Sequence, residues 1–199
     1  YPAYGDYYGQ WNLVRTGINA AWDIERGKGD YATIGIVDNG VKKTHSDLAA
    51  NLRSDSEQCG TNPWSDYHGT ACTGIAAAAT NNSLGTAGLC WNTKVVTKKG
   101  AEQGASYAAT KLLAVAGTSS TTSGGVVDIS MSYGWPQART PAALANAINE
   151  AFRQNILPVA SMGNSSTESA YYPAAYTRTM AGGATRHDLL EGSSSTDVR

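Results

Sequence analysis

Three polar residues stand where apolar runs end or a helix-like run begins. Asp38 follows Ala32-Thr33-Ile34-Gly35-Ile36-Val37, His68 opens His68-Gly69-Thr70, and Asn164 closes Val159-Ala160-Ser161-Met162-Gly163-Asn164. A carboxylate, an imidazole and an amide donor suit acyl transfer by a hydroxyl nucleophile. A hydroxyl attacks only when a base takes its proton, and the base needs a third group to orient it. In that reading His68 is the base, and Asp38 accepts its other ring N–H. Asn164 donates to the developing oxyanion, a contribution of roughly 3–4 kcal/mol in comparable sites. Singly the residues have plainer readings: an Asp after a strand caps or turns the chain, and His-Gly is a common turn.

Positioning these groups requires a layered scaffold. Trp22 to Arg26 reads as the end of a short helix, and Gly27-Lys28-Gly29-Asp30 turns the chain into a strand over Tyr31 to Val37. His68 begins an Ala-rich helix reaching Thr80. Lys94 to Thr97 is a short strand, Ala105 to Ala116 a helix, and Val126 to Met131 a buried strand. Pro141 suits a first helical turn, where its missing N–H costs nothing. Leu144, Ala147, Ile148, Ala151 and Phe152 then recur at helical spacing. Ile156 to Ser161 and Arg178 to Thr185 complete the strands. Strands alternating with helices predict an α/β fold, a mostly parallel sheet with helices on both faces. In open sheets of this kind sites form outside the carboxyl ends of the strands, the edge that Asp38 and Asn164 follow. The 199 residues show no linker, repeat or low-complexity tract, so a single domain over 1–199 is expected.

Bulk properties narrow the partners. Charged residues are 16% of the chain, the net charge is −1, and there is no Lys/Arg run. That argues against nucleic acid or an anionic membrane as the main partner, and no apolar segment is long enough to span a bilayer. A chain beginning at Tyr1 fits a processed, secreted protein. Cys59, Cys72 and Cys90 allow one disulfide and one free thiol; Cys59 and Cys90, both in loop-like stretches, are the preferred pair.

The segment from Ile34 to Val41, followed by His45-Ser46-Asp47-Leu48, resembles the catalytic-aspartate motif of the subtilisin-like serine peptidases, with Asn39 where Ser or Thr is commoner. His68-Gly69-Thr70-Ala71-Cys72-Thr73-Gly74 is similar to the family's histidine motif. Ala71 replaces its frequent second His, and Cys72 matches the lone cysteine of proteinase K-like and kexin-like members. Ala160 to Asn164 resembles the segment ending in the oxyanion asparagine. The resemblance covers almost the whole chain, yet the Gly-Thr-Ser-Met-Ala-x-Pro nucleophile motif does not occur before Arg199. Neither Ser161-Met162 nor Ser193-Ser194-Ser195 has that context, and no Gly-x-Ser-x-Gly is present.

The resemblance implies a secreted serine endopeptidase domain, incomplete at its C-terminus, whose triad Ser comes from outside this chain. It also implies substrate-binding edges at Ser132-Tyr133-Gly134 and at Gly104-Ala105-Ser106, with Ala160, Ser161 and Gly163 lining the site. An extended peptide would pair with two such edges by β-augmentation. A structural Ca²⁺ is implied at Asp47 and the loop Asn81-Asn82-Ser83-Leu84-Gly85-Thr86. Asp6, Asp47 and Asn82, with loop oxygens of Thr80, Leu84 and Thr86, form an oxygen cage of the kind calcium prefers. A plain turn held by Asn side chains is the simpler reading of that loop. Implied partners are polypeptide substrates, the missing C-terminal fragment, and a propeptide or inhibitor, as for a zymogen. Two alternatives remain: a non-catalytic pseudopeptidase or protein-binding module of the same fold, and a metal-dependent hydrolase using Asp38, His45 and His68.

Overall fold

The computed structural model describes residues 3–4, 7–8, 10–27, 32–62, 66–117, 124–136 and 139–184. A small antiparallel pair, β1 (Ala3–Tyr4) and β2 (Tyr7–Tyr8), precedes two short helices, α1 (Trp11–Arg15) and α2 (Ile18–Trp22). The second helix ends earlier than the sequence reading placed it. Glu25 Oε1 accepts the N–H groups of Arg26 and Gly27, which turns the chain out of the helix after Trp22.

The main sheet has five parallel strands in the order β4 (Lys94–Lys99), β3 (Thr33–Asp38), β5 (Val126–Met131), β7 (Leu157–Ser161), β9 (Met180–Gly182). The chain leaves β3 for one neighbour, β4, and returns on the other side as β5. That reversal is the switch point at which open α/β sheets form their sites. Val37 lies opposite Met131, and Met131 opposite Ala160. Asp38, Ser132 and Ser161 therefore follow one row further out, on a common edge. Most of β3 is buried, as expected of an interior parallel strand.

One face of the sheet carries α4 (Ala105–Ala116) and α5 (Ala142–Arg153). Val37, Ile129, Met131 and Ala160 pack there with Leu112, Val115, Leu144 and Ile148 in the largest apolar cluster. Phe152, which helical spacing assigned to the buried stripe, is 46% exposed instead and sits under the Arg178 guanidinium. Leu144, Ala147, Ile148 and Ala151 already fill the stripe, and Phe152 falls beside it. Pro141 lies one residue ahead of α5 in an extended conformation.

The opposite face is half covered. Helix α3 (His68–Ala77) packs Ala77 onto Ile36 and Val95, over β3 and β4. Among the described residues no helix lies over the same face of β5, β7 and β9, where Leu157 is 38% and Met180 55% exposed. The expected helices on both faces are present, but one layer stops at mid-sheet. α3 ends at Ala77 rather than Thr80 because Ala78 turns extended and Ala79 N–H is taken by the Asp47 carbonyl. The edge of β4 is covered by residues 51–57, whose backbone bonds to Val95 and Thr97. Short strands β6 (Trp135–Pro136) and β8 (Tyr171–Tyr172) pair antiparallel near the sheet's carboxyl edge.

The expected Cys59–Cys90 bond is absent: all three cysteines are free thiols. Cys59 lies against Thr70 in the first turn of α3, while Cys90 N–H bonds Ala76 at its end. The contacted residues, Thr70 and Ala76, are about 9 Å apart along the helix, which places the two cysteines toward opposite ends of α3.

Candidate active site

Asp38 is the last residue of β3, and its carboxylate is 3% exposed. His68 is the first residue of α3 and stays 56% exposed. Its Nδ1 lies 2.9 Å from both Asp38 oxygens. A carboxylate only accepts, so Nδ1 is the nitrogen that carries the proton, which in the neutral ring leaves the lone pair on Nε2. The geometry thus fixes the tautomer that a general base needs.

Local sequence holds the pair together. Gly69 N–H donates to Asn39 Oδ1 at 2.7 Å, satisfying a helix N–H that the residue before α3 does not cap. Asn39 N–H in turn donates to Asp38 Oδ1 at 2.8 Å. Gly69 is required by close approach: a Cβ there would stand 2.3 Å from the Gly40 carbonyl oxygen and 3.0 Å from Asp38 Cβ. Thr70 Oγ1 accepts the Lys42 N–H, tying the loop after β3 to α3. Thr73 Oγ1 donates to the Gly69 carbonyl at 2.6 Å and meets the Thr97 hydroxyl on β4. Each position of the His-Gly-Thr segment therefore has a mechanical role in seating the imidazole.

Cys72 takes part in a way that packing alone did not reveal. It lies one helical turn beyond His68, and its Sγ is 3.7 Å from His68 Nδ1 and 3.6 Å from Ser132 Oγ. Burial, helped by the Asp38 charge, pushes its thiol up to about 11, so it stays neutral beside the imidazole. The i, i+4 spacing from His68 was the available signal. Asn39 was likewise noticed only as an unusual residue, not as the partner of Gly69.

The remaining expected residues distribute along the same rim. Ser132, Tyr133 and Gly134 follow β5, and Tyr133 packs partly buried against the main cluster with its ring 5.1 Å from Trp135. Burial first, and Asp38 second, raise the Tyr133 phenol far above its ordinary value. Ala160 and Ser161 end β7; Gly163, at φ 95°, and exposed Asn164 follow on the carboxyl edge. β3 and β7 are two strands apart, so their ends are about 10 Å apart. Gly104 precedes α4 and buried Ala105 begins it.

Asp47, 3% exposed, lies beneath the loop 80–87. Its Oδ1 accepts from Asn82 Nδ2 and its Oδ2 from Thr86 N–H, both at 2.8 Å. A Cβ on Gly85 would stand 2.1 Å from Oδ2. Asn82 Oδ1 accepts Leu84 N–H, and Gln10, absent from the expected set, bonds both backbone groups of Ala87. The Thr80 hydroxyl is engaged with Ala78 and Gly88, so only its carbonyl is available to a cation. Asp6 lies outside the described residues. Among those described, the one group of three potential metal ligands is Asp38, His68 and Cys72. His45 is not in it; its Nδ1 accepts Asp47 N–H instead.

An orienting carboxylate and an exposed imidazole thus meet at the carboxyl edge of a parallel sheet. The subtilase family profile matches residues 29–198. The chain belongs to the subtilase family. Thermitase of Thermoactinomyces vulgaris is 35% identical over 182 residues, covering 88% of this chain and 62% of thermitase. The thermophilic serine proteinase of Bacillus sp. (strain AK1) is 32% identical over 178 residues, covering 88% and 43%. The chain thus spans less than two thirds of these relatives. The solved structure of sphericase superposes with a TM-score of 0.64 at 24% identity, over 83% of this chain and 58% of that one, which shows the shared fold. Subtilases are serine endopeptidases, hydrolases acting on polypeptides, and the matched range of this subtilase includes both Asp38 and His68.

Proposed function

We propose that this chain is the Asp–His part of a serine endopeptidase that hydrolyses peptide bonds in proteins through a Ser supplied from outside residues 1–199. The observation that carries it is the 2.9 Å contact of His68 Nδ1 with buried Asp38, leaving Nε2 exposed at the sheet's switch point. His68 Nε2 takes the hydroxyl proton as the Ser oxygen bonds the substrate carbonyl carbon. The Asp38 charge stabilises the imidazolium so formed, and Asn164 donates to the oxyanion. Proton return to the leaving amine breaks the C–N bond and leaves an acyl-enzyme, which water hydrolyses by the same relay. A helix bearing the Ser fits the uncovered half-face of β5, β7 and β9, where Leu157 and Met180 stand open. Ser132–Gly134, Gly104–Ala105 and Ala160–Gly163 would pair with the substrate backbone. Secretion and synthesis with a propeptide belong to this reading.

Donor chemistry supports calcium at the loop over Asp47, where an ion would replace the hydrogen bonds that the Asp47 and Asn82 oxygens accept. The donor set is all oxygen: Asp47, Asn82 and the carbonyls of Thr80, Leu84 and Thr86, which accept no backbone hydrogen bond among the described residues. A bound ion would supply positive charge against buried Asp47 and tether the loop. Asp6 is the further carboxylate of this proposal.

The test is labelling of the complete enzyme with a fluorophosphonate. The expected result is one labelled Ser outside residues 1–199, with labelling slowed about 10⁴-fold in Asp38→Asn, where the tautomer is lost. Absence of label on folded, complete material would sink the proposal in favour of a binding module.

A further inference from the structure

Strands β5 and β7 are neighbours, and their continuations, Ser132–Gly134 and Met162–Asn164, leave the sheet's carboxyl edge side by side. The crevice between them is already filled. A Cβ placed on Gly134 would stand 2.5 Å from Tyr171 Cδ1 and 3.1 Å from its Cε1; one on Gly163 would stand 3.6 Å from the same Cδ1. The Tyr171 ring therefore reaches both glycines at once. Its backbone is pinned by the β6–β8 pairing of Pro136 with Tyr171 and by Ala175 N–H, which donates to the Tyr171 carbonyl at 2.9 Å. Tyr171 also lines a cavity of about 300 Å³ bounded by Met162, Ala174 and Ala181.

We propose that Tyr171 is the floor of the crevice that receives the substrate side chain preceding the scissile bond, and that it restricts that residue to Gly, Ala or Ser. This rests on the endopeptidase reading. A peptide paired in extended form with the rim directs alternate side chains toward the protein. The side chain entering between Gly134 and Gly163 meets the aromatic ring within one or two carbons. A bulky group must displace a ring held from both sides, whereas a methyl group fits above it. Apolar pockets discriminate a single methylene by roughly 10–200-fold, so a Phe should be disfavoured by at least about tenfold. Removing the ring joins the crevice to the cavity behind it.

The experiment measures kcat/KM of the complete enzyme on tetrapeptide anilides differing only in the last residue, Ala or Phe. It is paired with calorimetric binding of the corresponding tetrapeptide acids. The expected result is at least tenfold preference for Ala in the native protein, and a Phe/Ala ratio raised tenfold or more in Tyr171→Gly. If the variant does not fold, the native preference alone decides. Equal use of Phe and Ala by the native enzyme overturns the assignment, as does an unchanged ratio in folded Tyr171→Gly. A protein that cleaves neither anilide yet binds the Ala-ending acid at least tenfold more tightly supports the crevice assignment while refuting the peptidase reading. Equal binding, or none, refutes the assignment.

Discussion

Replacing Gly69 by Ala sets two effects of opposite sign against each other. Helix propensity favours Ala over Gly by about 1 kcal/mol, so a reading of α3 as an isolated helix predicts stabilisation. The tertiary contact predicts the reverse. The new methyl would stand 2.3 Å from the Gly40 oxygen, where at least 3.0 Å is needed, so the two must part by 0.7 Å. The loop after β3 is poorly placed to yield, because the N–H and carbonyl of Val41 are bonded to Glu57 and Cys59. The start of α3 moves instead. Added to the 2.9 Å between His68 and Asp38, that shift takes the pair to about 3.6 Å, no longer a hydrogen bond. Overpacking costs about 1–3 kcal/mol, which exceeds or cancels the propensity gain. Activity suffers more, since a displacement near 1 Å in a catalytic array costs about 10²-fold. Steady-state kcat on a peptide anilide and thermal unfolding of the same preparation measure both. A Gly69→Ala enzyme with kcat within threefold of native and a raised Tm would refute the argument that α3 is wedged against the Asp38–Gly40 turn.

Asp128 and Asp47 offer further tests. Burial raises the Asp128 carboxyl from 3.8 to about 6. Between those values the folded chain holds a proton that the unfolded chain has lost, so stability falls as pH rises through roughly 4 to 6, by up to about 3 kcal/mol. Asp128→Asn should abolish that slope and be the more stable protein at pH 8; urea unfolding at several pH values decides, and identical slopes would count against it. Asp47→Ala strands the Asn82 amide and Thr86 N–H, a loss of about 2–3 kcal/mol. If calcium occupies this loop, a chelator lowers the native Tm and leaves that of Asp47→Ala unmoved. Equal sensitivity in both proteins would place any ion elsewhere.

Local pattern accounts for what was legible in advance. Helix α4 spans the residues its alanine-rich periodicity marked, and β5 those of its apolar run, because in both the residues that must be buried define the element. Asp38 and His68 were identifiable because a strand end and a helix start are local features. Other elements answered to remote contacts. The Asp47 carbonyl, distant in sequence, takes the Ala79 N–H just beyond the end of α3, and crowding beside Leu144 and Ile148 put Phe152 outside.

The sequence alone determined the order of strands and helices and the kinds of groups available for chemistry, since both follow from side-chain periodicity and residue type. Tertiary structure decided how they meet. It brought Cys72 and Asn39 around the imidazole, parted Cys59 from Cys90 along α3, and seated Tyr171 between two glycines. Those outcomes depend on ångström-scale packing between segments far apart in the chain, to which no local pattern gives access.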